Sequence, residues 1–228
     1  MSGRTGWIAA ALAALLFAVT AQADESADVA DLPIVAVPPQ SPAHGRLAIL
    51  VSGDGGWAGL AQEVSAALAR DGIGVVGLNS LKYFWTQRTP EETTRAIERI
   101  ADRYLHQWHA DRLVLIGYSF GADVLPDVVS RLRADLRHRV EGLSLIAPSS
   151  VANYEVHVTG WLGVAHPGEA TLPVLERLRG LPMVCIYGED DGDAVCPSLP
   201  AGLARVEKLA GGHHFGGDFA AVARQVLP

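Results

Sequence analysis

The chain has 228 residues, of which 49% are hydrophobic and 19% are charged, and its formal net charge is −7. This length is enough for one domain with a sizeable core and too short for two comfortable ones. The composition is neither that of a disordered chain nor that of a bundle of membrane helices, and its acidic balance makes nucleic acid an unfavourable partner.

The first 23 residues have the pattern of a secretory signal peptide. Arg4 precedes a nearly unbroken apolar run from Trp7 to Thr20, and Ala21 to Ala23 forms a small-x-small cleavage signature. The run of about fourteen residues is shorter than the roughly 20 that a membrane-spanning helix needs, and no later segment is long and apolar enough to cross a bilayer. Cleavage would remove one Arg and no acid, which changes the net charge from −7 to −8. We therefore expect a periplasmic protein that begins at Asp24.

Residues 24–45 are predicted to form an N-terminal leader with one short strand at Ile34 to Val37, and residues 46–228 to form one domain. In that domain short aliphatic runs alternate with segments of helical apolar spacing. The predicted strands are 47–51, 74–78, 113–116, 140–146, 183–187 and 204–209, and the predicted helices are 60–68, 89–108, 120–136 and 218–226. This alternation implies a mostly parallel sheet with helices on both faces, in which ligands bind beyond the carboxyl ends of the strands.

A candidate nucleophile follows the strand at 113–116. Gly117 to Gly121 matches G-x-S-x-G directly between a predicted strand and a predicted helix. Such a turn strains the serine backbone and exposes its Oγ at the top of the sheet, and it needs small flanking residues so that strand and helix can approach each other. The motif in this position predicts an α/β-hydrolase fold with Ser119 as the nucleophile.

A serine nucleophile needs a base, and the base needs an orienting carboxylate. In this fold the acid follows a later strand and the histidine lies near the C terminus. Asp191, three residues after Gly188, is the preferred acid, and Asp193, Asp190 and Glu189 remain open alternatives. His214 is the preferred base because a Gly-x-x-His-Phe arrangement is frequent in this fold, and His213 is a close alternative.

Cys185 and Cys196 flank the acidic loop and are the only two cysteines in the chain. Export to an oxidising compartment makes a disulfide between them the favoured prediction, with two buried thiols as the alternative.

The loop from Ser52 to Trp57 is predicted to supply an oxyanion donor, because its glycines let backbone N–H groups approach a developing negative charge. The N–H of Asp54 or Gly55 is the first candidate donor, and the N–H of Phe120 is the second. Losing one such donor typically costs about 3 kcal/mol. A phosphate-cradling loop is a weak alternative, since no Gly-Lys-Ser/Thr follows.

Three aromatic residues beyond the carboxyl ends of strands are candidates to bind substrate: Trp57, Tyr83 and Trp85. For Tyr83 and Trp85, ordinary packing explains the positions equally well. The proposed chemistry needs no metal and no organic cofactor, so we expect none.

Several sequence blocks together resemble the VirJ/AcvB family of bacterial virulence-associated periplasmic proteins. They are Ser52–Trp57, Leu81–Trp85 with Thr89–Glu91, Gly117–Pro126, Glu155–Gly163, Cys185–Gly188 and Gly211–Phe215. The AcvB-type proteins carry an additional N-terminal region without a counterpart in this sequence, so any function of that region is not carried over.

The resemblance implies hydrolysis of aminoacylated phosphatidylglycerol, particularly the lysyl form, at the periplasmic face of the inner membrane. In some relatives it also implies a link to type IV secretion. Ser119 would attack the aminoacyl ester, and Asp54, Asp123 or the unused acids near Asp191 would attract the ammonium group of the substrate.

Two other functions fit the same residues: a general carboxylesterase, thioesterase or peptidase, and a secretion-partner protein that keeps the fold without catalysis. The segment from Ser149 to Ala170 has about twenty residues, which leaves room for only a minimal lid over the site.

Overall fold

The computed structural model describes residues 28–41, 44–152 and 169–228. The predicted signal peptide, most of the predicted lid segment and the family block at 155–163 lie outside the described residues. Within the described ranges, none of the helices has both the length and the apolar character needed to cross a bilayer.

Seven strands of the described residues form one sheet: β1 Ile34–Val37, β2 Arg46–Val51, β3 Gly74–Leu78, β4 Arg112–Tyr118, β5 Val140–Ile146, β8 Met183–Gly188 and β9 Arg205–Leu209. Their order in the sheet is β1-β3-β2-β4-β5-β8-β9. All neighbours pair in parallel except β1, which runs antiparallel to β3 at the edge. Two-residue strands, β6 (Val151–Ala152) and β7 (Glu169–Ala170), pair separately. The predicted mostly parallel sheet is confirmed, and the strand assigned to the leader is part of it.

The central strands are apolar because helices cover both of their faces. Side chains of β2 alternate between two clusters: Leu47 and Ile49 join one, and Ala48 and Leu50 join the other. All four are completely buried. A strand with two covered faces shows a continuous aliphatic run in place of polar–apolar alternation.

In the described part of the chain, seven helices flank the sheet: α1 Leu60–Arg70, α2 Ser80–Tyr83, α3 Pro90–Gln107, α4 Phe120–Arg131, α5 Ala134–Arg137, α6 Thr171–Arg177 and α7 Phe219–Gln225. Apolar residues of α1 and α7 belong to one cluster, and those of α3, α4 and α6 belong to the other. The predicted start of α3 is confirmed by a reciprocal capping box, in which Thr89 and Glu92 each accept from the other's backbone N–H.

The helix predicted over 120–136 is interrupted. Leu132 has extended dihedral angles, φ −54° and ψ 138°, and its side chain is buried. The side chain of the next residue, Arg133, pairs with Asp102 of α3, and the backbone N–H of Arg133 donates to the Glu98 carboxylate. The burial of Leu132 and the contacts of Arg133 with α3 therefore stabilise a break in the helix at this point.

Candidate active site

Ser119 occupies the sharp turn between β4 and α4. Its φ of 52° and ψ of −120° lie in the region that non-glycine residues rarely adopt. The turn also forces close backbone contacts, since a Cβ added at Gly121 would lie 2.1 Å from the carbonyl oxygen of Val51. The strained serine and the small flanking residue match the geometry that the G-x-S-x-G motif predicts.

A chain of hydrogen bonds links Ser119 to a histidine and a carboxylate. Ser119 Oγ lies 2.8 Å from His213 Nε2, and His213 Nδ1 lies 2.8 Å from Asp191 Oδ2. The side chain of Asp191 is only 5% exposed, so its carboxylate is well shielded from water. When His213 donates Nδ1–H to Asp191, its Nε2 lone pair is free to accept the Ser119 hydroxyl proton.

His214 makes a different contact, and the structure departs here from the sequence preference for His214 as base. Its Nδ1 lies 2.7 Å from the hydroxyl of Tyr118, the residue before the nucleophile. The two histidine rings meet edge to face with centroids 5.3 Å apart. His214 thus contacts Tyr118, and His213 contacts Ser119.

Backbone contacts hold the acid loop against the histidine loop. Asp190 N–H donates to the carbonyl oxygen of Gly211 at 3.0 Å, and a Cβ added at Gly188 would lie 2.2 Å from the carbonyl oxygen of Gly212. Glycine at 188 therefore permits the approach that brings Asp191 to His213.

The other acids of this loop are solvent-exposed: Glu189, Asp190 and Asp193. Glu189 lies 3.8 Å from the Lys208 ammonium, and Asp193 N–H donates to Asp191 Oδ1 at 3.3 Å. Of the four candidate acids, Asp191 is the one whose carboxylate the structure places on a histidine.

The predicted disulfide is present. Cys185 in β8 and Cys196 just after the acid loop are joined by a 2.07 Å S–S bond, and both residues are buried. The bond closes the acidic loop at its base, so Asp191 lies within a covalent ring.

Ser119 opens into a cavity of about 370 Å³ lined by residues 53–56, 58–60, 118, 119, 213, 214 and 219. Asp54 and Gly55 lie at the corner of a turn closed by a hydrogen bond from Gly56 N–H to the Gly53 carbonyl, 3.0 Å long. Within the described residues, no group accepts the N–H of Asp54, Gly55 or Phe120. These three N–H groups remain available for an oxyanion.

None of the three candidate substrate-binding aromatics lines this cavity. Trp57 packs on the backbone of β3, where a Cβ added at Gly77 would lie 1.8 Å from its ring. Tyr83 is 5% exposed, and its hydroxyl donates to the Glu92 carbonyl at 3.2 Å. Trp85 is 61% exposed. Trp57 therefore packs against the sheet and Tyr83 contacts α3.

The sequence interpretation missed Tyr118 and Phe219 as lining residues. Tyr118 contacts His214 and forms a wall beside Gly53, whose added Cβ would lie 3.3 Å from the Tyr118 ring. Burial raises the pKa of Tyr118 to about 12, so its hydroxyl stays protonated. The position of Tyr118 inside G-x-S-x-G was a usable signal, whereas nothing in the sequence marked Phe219.

Two carboxylates near the nucleophile differ in environment. Asp54 is exposed and is the acidic residue among the described cavity-lining residues. Asp123, one turn into α4, accepts from Ser149 N–H at 2.6 Å and from Ser149 Oγ at 2.7 Å. Burial raises the pKa of Asp123 to about 7. Asp54 thus faces the cavity, whereas the Asp123 oxygens are already engaged.

In the part of the chain that the structure covers, no group of three or more His, Cys, Asp or Glu side chains could hold a metal ion.

Comparison with protein families gives a match to the model for the bacterial virulence protein VirJ over residues 45–228. Among curated proteins, no sequence matches this chain.

Several solved structures share the fold. An α/β serine hydrolase homologue from Coxiella burnetii has a TM-score of 0.58 and 15% identity, with 85% of this chain and 88% of that chain covered. Est1E from Butyrivibrio proteoclasticus has a TM-score of 0.60 and 12% identity, covering 86% and 92%. An α/β serine hydrolase without a lid from Xanthomonas campestris has a TM-score of 0.53 and 16% identity, covering 85% of each chain. Together they establish an α/β-hydrolase fold.

Proposed function

Because the chain belongs to the family of the bacterial virulence protein VirJ, we propose that it is an exported serine hydrolase acting on aminoacylated phosphatidylglycerol. The bond cleaved is the aminoacyl ester, with the lysyl form as the leading substrate. The observation that carries the proposal is the hydrogen-bonded chain from Ser119 through His213 to Asp191 at an open cavity.

In the first half-reaction, Ser119 Oγ attacks the ester carbonyl while His213 Nε2 takes its proton. The buried Asp191 carboxylate stabilises the imidazolium that forms and holds the ring in the required tautomer. The Phe120 N–H and the N–H of Asp54 or Gly55 receive the oxyanion. His213 then returns the proton to the glycerol oxygen, the ester bond breaks, and phosphatidylglycerol leaves.

In the second half-reaction, water attacks the aminoacyl-Ser119 ester. His213 takes a proton from this water and gives it to Ser119 Oγ as the second tetrahedral intermediate collapses. The free amino acid and the starting enzyme are regenerated. Both halves use the same base and the same oxyanion donors, and no step needs a metal or cofactor.

The charge of the cavity supports an aminoacyl substrate. Asp54 supplies a carboxylate at the cavity wall, and an ammonium group bound in that cavity would gain a favourable Coulomb interaction with it. A lysyl group carries two ammonium groups, so it would gain more than a neutral acyl group. Asp123 is a weaker candidate because Ser149 occupies both of its oxygens.

The proposed place of action is the periplasm. The predicted signal peptide over residues 1–23 would direct export, and the Cys185–Cys196 disulfide is a feature of proteins in oxidising compartments. The resemblance also supports a role beside type IV secretion components, which would not require catalysis.

The test is release of lysine from lysyl-phosphatidylglycerol vesicles by the wild type and by Ser119→Ala, His213→Ala and His214→Ala variants. We expect Ser119→Ala and His213→Ala to lose roughly 10⁴-fold or more in kcat, and His214→Ala, the matched control, to lose much less.

A simple aryl ester is assayed in parallel. Serine-dependent cleavage of the aryl ester alone would make the chain a general esterase. No serine-dependent turnover of either compound would favour the binding-protein function.

A further inference from the structure

A second cavity concentrates positive charge on this acidic chain. It has a volume of about 410 Å³, and its lining includes four cationic side chains, Lys82, Arg88, Arg95 and Arg99, and two acidic ones, Asp31 and Glu92. The chain as a whole has 18 Lys and Arg against 25 Asp and Glu. The cavity, called the cationic cavity below, is thus opposite in charge to the rest of the molecule.

The cationic cavity lies at the same edge of the sheet as Ser119. Helix α2, which carries Lys82, directly follows the carboxyl end of β3. Leu78 at that end pairs with Val51 of β2, and Val51 pairs with Gly117 just before the nucleophile. Lys82 and Ser119 therefore both lie just beyond the carboxyl ends of parallel strands, at the same edge of the sheet.

Part of the positive charge is uncommitted. Arg99 pairs with Asp31, and Arg88 donates through Nε to the Tyr83 carbonyl while lying 5.0 Å from the centre of that ring. Within the described residues, Lys82 and Arg95 have no side-chain hydrogen bond or ion pair. Two long cationic side chains are therefore free to bind an anion.

An exposed indole belongs to a short chain segment that is flanked by two residues of the same cavity. Trp85, 61% exposed, lies in the short segment between Tyr83 and Arg88, both of which line the cavity. Tryptophan is favoured at the boundary between hydrocarbon and lipid headgroups, where lysine and arginine side chains meet lipid phosphates. The combination matches an anionic lipid surface better than a small soluble anion.

We propose that the cationic cavity and Trp85 dock the protein on anionic phospholipid, with a lipid phosphate held between Lys82 and Arg95. The inference rests on the proposed function for its choice of a membrane surface over a soluble phosphate. Docking there would present the Ser119 cavity to lipid headgroups without extracting the lipid from the membrane.

The experiment measures binding to vesicles of phosphatidylcholine alone and of phosphatidylcholine with phosphatidylglycerol. The exported protein carries Ser119→Ala, so no turnover occurs, and its N terminus is verified by sequencing. The test variant adds Lys82→Gln and Arg95→Gln. The matched control adds Arg70→Gln and Arg179→Gln, which remove the same charge from exposed positions just before β3 and β8, at the opposite edge of the sheet.

A cation near an anionic membrane surface contributes about a fivefold factor to partitioning. We therefore expect the test variant to bind phosphatidylglycerol vesicles about 25-fold more weakly than its parent, and the control variant to bind nearly as well as the parent. Trp85→Ala should weaken binding further, and raising the salt concentration should weaken parental binding but affect the test variant little.

An equal loss of vesicle binding in the test variant and in the control variant would overturn the proposal, because net charge alone would then explain binding. Binding of millimolar glycerol phosphate by the Ser119→Ala protein, without any binding to vesicles, would also overturn it and identify a soluble phosphate as the ligand. Hydrolysis of a soluble aryl ester by the same variants with Ser119 restored tests the catalytic proposal separately. Docking and catalysis can thus fail independently of each other.

Discussion

Removing the Cys185–Cys196 disulfide should destabilise the protein and loosen the acid loop. The bond joins residues 11 positions apart, and the loop-closure entropy of a ring of that size is worth about 3 kcal/mol at 25 °C. For a domain of this length, 1 kcal/mol corresponds to roughly 2–4 °C in Tm, so Tm should fall by roughly 6–12 °C. Asp191 lies inside the ring. We therefore also expect the kcat of the protein without the disulfide to fall more steeply with temperature than the kcat of the oxidised protein.

The assay is thermal unfolding of the wild type with and without dithiothreitol, beside Cys185→Ala/Cys196→Ala. The double variant serves as its own control, since dithiothreitol should leave its Tm unchanged. Both cysteines are buried, so the wild type is reduced in mild denaturant, and the denaturant is then removed before the measurement. A reduced protein and a double variant that both melt within about 2 °C of the oxidised wild type would refute the entropic reasoning.

Three further changes test the site. Gly188→Ala should push the histidine loop away and cost roughly 10²-fold in kcat, whereas Gly192→Ala, where an added Cβ meets nothing within 4 Å, should cost little. Tyr118→Phe removes the hydroxyl that contacts His214 and should lower the free energy of unfolding by about 1 kcal/mol, measured by urea titration. Burial raises the pKa of Asp123 from 3.8 to about 7, so the folded protein binds a proton that the unfolded chain has released. Its contribution to stability should therefore fall between pH 4 and 7, and Asp123→Asn should flatten that part of a Tm-against-pH curve; an unchanged curve would contradict this.

The fold could be predicted from the sequence because the central strands are covered on both faces. Burial of every residue from Leu47 to Val51 leaves a continuous aliphatic run, and such runs at regular spacing identify a parallel sheet. The position of Ser119 could be predicted for a different reason. The strained turn between strand and helix leaves no space for a side chain at positions 117 and 121. The G-x-S-x-G pattern that supplies both glycines comes at the end of β4.

The contacts of the two histidines could not be predicted from the sequence. His213 and His214 are adjacent, and the path of the loop decides which ring faces the nucleophile. That path depends on backbone contacts with the acid loop, such as the hydrogen bond from Asp190 to Gly211. Pattern frequency within the fold carries no information about those contacts.

Long-range packing explains the other differences. Trp57 lies on the backbone of Gly77, twenty positions later, and no local pattern couples these two residues. The cationic cavity likewise gathers residues from a segment before β1, from α2, from the segment after α2 and from α3: 31–33, 82, 83, 88, 92, 95, 96 and 99. Side chains so far apart in sequence meet only after the sheet has formed.

The order of the site along the chain bears on what happens while the protein is being made. Ser119 follows β4, but Asp191 follows β8 and His213 follows β9, the last strand. A chain threaded through the membrane from its N terminus would therefore expose its nucleophile long before its base. Until nearly the whole length has emerged and β9 has paired with β8, the serine has no proton acceptor. Under the function proposed above, a stalled or prematurely terminated chain would lack the base and would not cleave the lipids around the export channel.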